Sequence, residues 1–454
     1  VTGVRDLWEL AGRRVAVVGL GASGLAAATV LREVGADVVV TERRPRAELD
    51  DADALQRMER SGIEVLAGGH LPEHLDGASV VVVSPGVPER SPVVGWAHER
   101  GIPIWSELEL GARLCTVPVI AVTGTNGKTT TTEMVAAAMR AAGLDAVACG
   151  NIGYPFSLAA REEHDALAVE ASSFQLRFHQ TFRPRVSVLL NVAPDHLDWH
   201  GSMPAYAAAK ARIFEFQAEG DTHVGDRDDD EAALISSTAP CTTVWFRLDP
   251  PADGEVGYQD GELVSRLSDE PVGLGTPAAP GRGFRADAAA AAAATIAFGL
   301  DPRAVGEGIR GVEPLPHRGR VVATVGTVRF VDDSKATNPH AALASLEGLG
   351  DAVLIAGGLS KGVDLSPLAG AAPSLSGVVV LGEAAAEIAA LFEPALPVRK
   401  AGSIEEAAGL ALELAPHDGT VILAPACASQ DMFRDYRERG DRFATAARRL
   451  QEGA

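Results

Sequence analysis

Along this chain, short valine-rich runs end in glycine or a polar residue and give way to longer stretches with helical spacing. "RRVAVVGLGASG" is followed by the apolar helical stretch "LAAATVLREVG" and then by "ADVVV". That order predicts a β–α–β unit of a parallel sheet. A further strand, "SVVVVSPGVP", ends in a tight turn at Ser84, Pro85 and Gly86. The alternation restarts near Thr116 with the strand "VPVIAV", a glycine-bearing loop and "TTTTEMVAAAMRAAG". In this last stretch Met134/Ala138 and Val135/Met139 share one helix face, and Gly143 stops the helix. Two more strands finish on polar residues, "DALAVE" at Glu170 and "RVSVLLN" at Asn191. In open parallel sheets such strand ends face one crevice. Beyond the proline-bearing "GVEPLPHRGR", a natural hinge, the strands "AVLIAGG", "GVVVLG" and "GTVILAPA" alternate with helical patterns such as "EAAAEIAALF" and the stretch from Gly440 to Leu450. Between residues 219 and 285 the alternation weakens. The run Asp228, Asp229, Asp230, Glu231 there reads as a solvated loop, since crowded acids lack the spacing that aims ligands at one ion. Ala288 to Ala294 reads as a tightly packed helix. No short-period repeat is present, which excludes solenoids and propellers.

A length of 454 residues implies two or three cores. The patterns give an α/β protein of three consecutive α/β domains: a Rossmann-like domain over 1–113, a P-loop-type central domain with a parallel sheet over 114–313, and a second Rossmann-like domain over 314–454. The 61 acidic residues outnumber 40 basic ones, for a net charge of −21. Such a surface repels a phosphate backbone, so nucleic acid is not an expected partner. Small anions remain possible at helix ends and placed lysines. Cys115, Cys149, Cys241 and Cys427 are far apart with no C-x-x-C pair, which fits a reducing compartment. The first residues carry Arg5, Asp6 and Glu9 and no apolar signal segment. Neither Val15–Leu31 nor Ala288–Leu300 is suited to span a bilayer, so a cytoplasmic protein without membrane insertion is expected.

The chemistry concentrates in a few loops. "VTGTNGKTTT" resembles the phosphate loop G-x-x-x-x-G-K-[ST], but Gly124 and Gly127 are closer than that pattern requires. A strand before it and a helix after it supply the right context. Backbone N–H groups and the helix dipole face phosphates, Lys128 adds a positive charge, and the Thr129 hydroxyl suits Mg²⁺. The bland alternative is a glycine turn with a surface lysine. Gly19-Leu20-Gly21-Ala22-Ser23-Gly24 fits G-x-G-x-x-G, with Glu42 at the end of the next strand, and predicts a nucleotide or dinucleotide at a helix N-terminus. Glu170 either completes a magnesium site or caps a helix beside Ser172 and Ser173. Asp195, His196, Asp198 and His200 in "NVAPDHLDWHG", with the histidines at i and i+4, read equally as a zinc site or as a loop with satisfied histidines. Lys210 sits in the mostly apolar "MPAYAAAKARIFEF", where a lysine snorkels to water. Next to a magnesium nucleotide its ammonium would repel the cation. Lys335 in "FVDDSKATNPHA" and Lys361 in "IAGGLSKGVDLSPL" both suit an anionic substrate.

Taken together, T-G-T-N-G-K-T-T, E-A-S-S-F-Q-L, N-V-A-P-D-H-L-D, the helix with Lys210, P-H-R, D-D-S-K-A-T-N-P and A-P-A-C-A-S-Q-D resemble the Mur ligase superfamily over almost the whole chain. "DDSKATNP", "GGLSKG" and "PACAS" discriminate within it. The resemblance implies an ATP-dependent amide ligase that adds glutamate, expected as the D isomer, to a UDP-sugar-linked alanine through an acyl phosphate, in peptidoglycan precursor synthesis. It implies that Gly124, Thr125, Asn126, Gly127, Lys128, Thr129 and Thr130 cradle ATP. Thr129 and Glu170 would hold one Mg²⁺, and His196 would help hold a second. Lys210 would be carbamylated, which turns a repelled cation into an anion that supports magnesium. Asn151 would lie near the reacting carboxylate, and Arg318 and Asp333 would serve the nucleotide. Thr337, Lys361, Ser429 and Tyr436 would grip the glutamate, with Lys335 on the same side. Ser23, Glu42, Arg43 and Arg44, with Ser84, Pro85 and Gly86, would bind the uridine diphosphate. A monomer that closes its domains is expected. Where relatives often read H-N-x-x-N, this chain has Gly283-Phe284-Arg285-Ala286-Asp287, so the nucleoside contact differs; Asp287 accepts a hydrogen bond and Phe284 packs or stacks. Three rival readings stand beside this one. An NAD(P) oxidoreductase leaves Lys128, Glu170 and Lys335 without a role. A non-catalytic nucleotide-binding module would keep the scaffold alone, and sister ligases, including those that extend folates, would share the chemistry.

Overall fold

The computed structural model describes residues 9–49, 52–279 and 281–453; Arg5 and Asp6 lie outside the described residues. By their internal contacts the described residues form two compact units, one running up to Val192 and then over 204–277 and 286–312, the other over 193–203, 278–285 and from Glu313 onward.

The first unit contains two sheets. β1 (Arg14–Val18), β2 (Asp37–Glu42), β3 (Glu64–Ala67), β4 (Ala78–Val83) and β5 (Ile104–Ser106) form an all-parallel sheet in the order β3-β2-β1-β4-β5. The chain leaves β1 toward β2 on one side and reaches β4 on the other, which opens a crevice beyond the carboxyl end of β1. Val15, Val17, Val38, Val40, Val80 and Val82 share one core with Ala27, Ala28, Val30 and Leu31 of the helix Ala22–Glu33. The period of two along each strand and of three to four along the helix is what the apolar pattern demands.

The second sheet has β6 (Val119–Thr123) at its functional centre. With β7 (Ala146–Gly150), β8 (Ala166–Glu170), β9 (Val186–Leu189), β10 (Thr222–Asp226), β11 (Thr242–Phe246), β12 (Glu255–Gln259), β13 (Glu262–Ser265) and β14 (Val272–Gly275) it runs β14-β13-β12-β11-β10-β9-β6-β8-β7. All pairs are parallel except β12–β13 and β13–β14. Residues 222–275 are therefore regular, contrary to the sequence expectation. Antiparallel hairpin strands need only short turns and period-two alternation, a weaker signal than a long buried run. The acidic run is solvated, as expected, but it also starts a helix. Asp229 caps the helix Asp230–Ser236, accepting from the Ala232 N–H at 2.8 Å, and its other oxygen takes the Val192 N–H at 3.2 Å. The two sheets are joined through Glu109, which is fully buried. Its carboxylate accepts from the Gln180 and Thr181 backbone N–H groups at 2.8 and 2.9 Å, the Thr181 hydroxyl at 2.7 Å and the Arg113 Nε at 2.6 Å. All seven alanines from Ala288 to Ala294 are fully buried in the helix Arg282–Phe298.

The second unit is built on β15 (Arg320–Val325), β16 (Val328–Asp332), β17 (Ala352–Gly357), β18 (Leu375–Leu381), β19 (Val398–Lys400) and β20 (Thr420–Leu423), in the order β15-β16-β20-β17-β18-β19. Only β15–β16 is antiparallel. Leu354, Ala356, Val378 and Val380 enter one core, and Val353, Ile355, Val379 and Leu381 the other. Both faces are covered, so these strands read as unbroken apolar runs.

Two histidines beside the second sheet are buried as neutral rings. His223 lies between the hydroxyls of Ser187 (2.7 Å) and Ser236 (2.9 Å), and His179 meets the Arg212 carbonyl at 3.0 Å. Burial pushes each from 6.5 down to about 3. Below pH 6.5 the unfolded chain takes up protons that the folded chain refuses. Stability is therefore present above that pH and lost as it falls, by roughly 1.4 kcal/mol per pH unit for each ring. Urea denaturation at pH 7.5 and 5.5 should show this loss, and His223→Gln should reduce the pH slope. An unchanged slope in that variant would mean that His223 contributes nothing to it.

Candidate active site

The loop after β6 works because two glycines leave room where side chains would collide. Gly124 has φ of 156°, and a Cβ there would come within 2.8 Å of the Leu190 Cβ. Gly127, with φ of 85°, precedes the helix Lys128–Ala141, and a Cβ there would overlap the Asp287 carboxylate. Both conformations favour glycine over any other residue. No side chain caps this helix, so its first N–H groups stay available to an anion.

Asn191, just past β9, braces the loop. Its Oδ1 accepts the Thr125 N–H at 3.1 Å and the Asn126 N–H at 2.8 Å, and its Nδ2 donates to the Asn126 carbonyl at 3.2 Å. Thr125 Oγ1 lies 3.2 Å from the Tyr206 hydroxyl, and Thr130 is buried. Asp287 is buried beneath the loop and accepts from the Thr131 hydroxyl at 3.2 Å. Lys128 folds back, with Nζ donating to the Gly124 and Thr125 carbonyls at 2.8 and 2.9 Å. Lys210 does not snorkel. It is 1% exposed, its Nζ donates to the same Gly124 oxygen at 2.6 Å, and it sits 4.3 Å above the Tyr206 ring. The apolar alanines on its helix and the inward turn toward Gly124 overrule the usual escape to water. Two ammonium groups thus meet at one carbonyl.

Glu170 gathers two other expected residues. Thr129 Oγ1 donates to its Oε2 at 2.8 Å, and Asn151 Nδ2 to its Oε1 at 2.9 Å. A hydroxyl and a carboxylate beside a phosphate loop are hard oxygen donors, a set that fits Mg²⁺. Ser172 does the capping that Glu170 was a candidate for, in a reciprocal pair with Gln175.

At the glycine turn after β1, Ser84 Oγ donates to the Gly19 carbonyl at 3.1 Å, and Pro85 and Gly86 follow at the end of β4. Ser23 opens the adjoining helix, and Arg43 is exposed. Glu42 is buried and already engaged. Its Oε2 accepts the Leu20 N–H at 2.7 Å, and its Oε1 accepts the Arg44 N–H at 2.9 Å and Nε at 3.4 Å. Burial works against its charge, but those backbone N–H groups and the Arg44 guanidinium hold its carboxyl below the usual range. Glu42 therefore acts through Leu20 and Arg44, shaping the turn.

The second unit holds the other predicted residues. His196 has φ of 54°, and its ring lies 3.6 Å from the Asp195 carboxylate. Asp195 is buried, accepting from Lys361 Nζ at 2.8 Å and Asn338 Nδ2 at 3.2 Å. Burial raises its pKa, but the charges of Lys361 and His196 outweigh that and keep it below the ordinary value. Lys361 is thus in an ion pair in this conformation. His200 packs on Trp199 at 4.4 Å, and among the described residues no group of three or more His, Cys, Asp or Glu is assembled to hold a metal. Burial pushes Asp333 up to about 6, against a hydrogen bond from Ser345 and the charge of Arg318. Lys335 Nζ lies 4.3 Å above the Tyr436 ring.

Three signature loops converge here. Leu359 and Ala428 exchange backbone hydrogen bonds, and the Ala426 N–H donates to the Ala336 carbonyl at 2.9 Å, which draws together the segments carrying Lys335, Thr337, Lys361 and the buried Ser429. Arg439 locks them from below. It is 1% exposed and donates to the Ser334 hydroxyl (3.0 Å), the Ser334 carbonyl (2.8 Å) and the Cys427 carbonyl (3.1 Å). Burial lowers its pKa to about 10, still charged at neutral pH. Asn191, Asn338 and Arg439 were absent from the expected set, Asp195 was weighed only as a zinc ligand, and Asp287 was expected at the nucleoside and instead accepts from Thr131 beneath the loop. Asn191 carried a signal as the polar end of a strand, and Asn338 lies within a quoted motif; Arg439 carried none.

These features define a class, a nucleotide-binding α/β enzyme with a phosphate loop on one sheet and a lysine-bearing loop cluster on another. The chain belongs to the Mur ligase family. Residues 13–106 match the Mur ligase MurD-like N-terminal domain, 122–293 the Mur ligase middle domain and 317–427 the Mur ligase glutamate ligase domain. The UDP-N-acetylmuramoylalanine--D-glutamate ligase of Frankia casuarinae is 44% identical over 96% of this chain and 94% of its own. That of Streptomyces avermitilis is 41% identical over 98% and 99%. In fold, the chain is similar to MurF from Acinetobacter baumannii (TM-score 0.62, 17% identity, covering 99% of this chain and 98% of that one) and to a pseudomurein peptide ligase type C from Methanothermus fervidus (0.61, 18%, 97% and 100%). No helix among the described residues is long and apolar enough to cross a membrane.

Asn191→Ala removes three hydrogen bonds that shape the phosphate loop. It should raise KM for ATP by about tenfold or more, the effect of losing one or two net hydrogen bonds, with little change in KM for the other substrates. Steady-state kinetics against each substrate check this, and an unaltered KM for ATP would refute it.

Proposed function

We propose that this chain is an ATP-dependent ligase that joins D-glutamate to UDP-N-acetylmuramoyl-L-alanine, a step of peptidoglycan precursor synthesis. The observation that carries the reading is the Thr129–Glu170–Asn151 cluster beside the Lys128 loop, in a chain more than 40% identical, nearly end to end, to ligases named for that amino acid. In this reading residues 1–113 take the UDP substrate, 114–313 the ATP and 314–454 the amino acid, and the protein is a cytoplasmic monomer.

The loop from Gly124 to Thr130 cradles the nucleotide, with the N–H groups at the uncapped start of the helix Lys128–Ala141 and the Lys128 ammonium receiving the β- and γ-phosphates. Thr129 and Glu170 would hold one Mg²⁺, with His196 serving a second, and the ion supplies charge neutralisation on the phosphates. Asn151 orients the substrate carboxylate, whose oxygen bonds to the γ-phosphorus as the bond to ADP breaks. The glutamate amine then forms the C–N bond, loses a proton, and phosphate departs with the C–O bond. Lys361, Thr337, Ser429 and Tyr436 hold the glutamate, and Arg318 and Asp333 the nucleotide. Lys210 is carbamylated: neutral Nζ adds to CO₂ and releases a proton. The crowding of two ammonium groups on the Gly124 carbonyl supports this, because the carbamate removes one positive charge from the pair.

ATP-dependent phosphate release with UDP-N-acetylmuramoyl-L-alanine should occur with D-glutamate and not with L-glutamate or without an amino acid. Release with L-glutamate alone would reassign the specificity. Lys128→Ala should lower turnover by about 100- to 1,000-fold, the cost of one phosphate-stabilising donor; near-normal release would contradict the loop assignment. Lys210→Ala should be nearly inactive and regain part of its activity with added formate or acetate. Absence of rescue would count against the carbamate.

A further inference from the structure

A polar cluster at the carboxyl end of β2 takes no part in the chemistry of ATP or glutamate. Thr41 is fully buried, yet its hydroxyl lies 2.9 Å from His70 Nδ1 and 2.8 Å from His74 Nδ1. The turn that carries His70 is pinned over the strand end. The Gly68 N–H donates to the Glu42 and Arg44 carbonyls at 3.1 and 3.0 Å, and the Gly69 N–H to Glu42 at 3.1 Å. The two rings therefore belong to the same edge of the sheet as Glu42, Arg43 and Arg44, with β2 lying between β1 and β3.

The Thr41 hydroxyl has one proton and two lone pairs, so at most one of the two rings accepts from it. The Leu71 N–H donates to His74 Nδ1 at 3.4 Å, so that nitrogen carries a lone pair. Thr41 then donates to His74 and accepts from the Nδ1–H of His70. With Nδ1 accepting in His74 and donating in His70, the two rings are opposite tautomers: His70 presents a lone pair at Nε2, and His74 presents a proton there. Neither Nε2 has a protein partner among the described residues, and neither is enclosed. Burial lowers the His70 pKa, Glu42 opposes this, and His74 and Arg43 reinforce it, so the ring stays neutral at pH 7.

We propose that His70 and His74 read the base of a uridine diphosphate, His70 Nε2 accepting the imide N3–H and His74 Nε2–H donating to a neighbouring carbonyl oxygen. An acceptor and a donor on two rings that meet at one hydroxyl match the imide N–H and a carbonyl of uracil, whereas phosphate offers no donor to His70 at neutral pH. Glu42, engaged by Leu20 and Arg44, positions the turn instead of reading the ligand. The inference rests on the proposal that residues 1–113 take a UDP substrate.

Calorimetry on the full chain with UDP and N3-methyl-UDP tests it. The unaltered protein should bind UDP at least tenfold more tightly than the methylated ligand, about one buried hydrogen bond. His70→Ala should weaken UDP by about the same factor, leave N3-methyl-UDP no weaker, and leave ATP affinity unchanged. Equal losses for both ligands would move the pair onto the phosphates and overturn the base assignment, as would no loss for either. Should His70→Ala fail to fold, the two ligands on the unaltered chain decide the matter: equal affinities overturn it. A chain that binds no UDP at all would overturn the UDP-substrate reading itself, an outcome distinct from the others.

Discussion

The Gly124 carbonyl is the point on which the first unit's chemistry turns. Two buried or half-buried lysines donate to it, and the glycine that bears it has a conformation that side chains rarely adopt. The carbonyl can face the lysines only because the loop turns sharply out of β6. That turn in turn depends on Asn191 from the neighbouring strand, which supplies the hydrogen bonds that a shortened loop cannot make to itself. Glu170, one strand further on the other side, then finds Thr129 and Asn151 within reach. The strand order β9-β6-β8 is what makes all three possible.

A second constraint is the handling of buried charge. Asp195 with Lys361, Glu109 with Arg113, and Glu42 with Arg44 each carry additional hydrogen bonds, so no carboxylate is left with its partner charge alone. Burying such groups costs several kcal/mol, and the added donors offset it. Arg439 is the same solution without a carboxylate, its guanidinium spread over carbonyls and a hydroxyl. Arg439 ties together the loops that carry Lys335, Thr337 and Ser429. Its value lies in position more than in stability.

The rival readings of the sequence separate on these grounds. A dinucleotide oxidoreductase would need Glu42 free for a ribose, whereas its carboxylate is tied to Leu20 and Arg44. The NAD(P) reading also leaves the Glu170 cluster idle. Asp287 packs against Gly127 and Thr131 and so supports the loop. A non-catalytic module has no use for a carboxylate, hydroxyl and amide converging beside a phosphate loop.

The alternation of apolar runs and helical spacing, with glycines at the strand ends, was enough by itself to determine three α/β segments and the phosphate loop, because local sterics and strand burial write themselves into nearby residues. Lys128, Lys210, Glu170 and His196 could be singled out in the sequence, since each lies in a short motif. Only the tertiary structure decided the rest. Whether Lys210 reaches water, whether Glu42 is free, and which tautomers His70 and His74 adopt depend on partners 22 to 86 residues away in sequence. The hairpin strands β12 to β14 escaped notice for the same reason, since their pairing rather than their composition makes them strands. Arg439 looks like any solvated helix arginine until the loops it holds are folded against it.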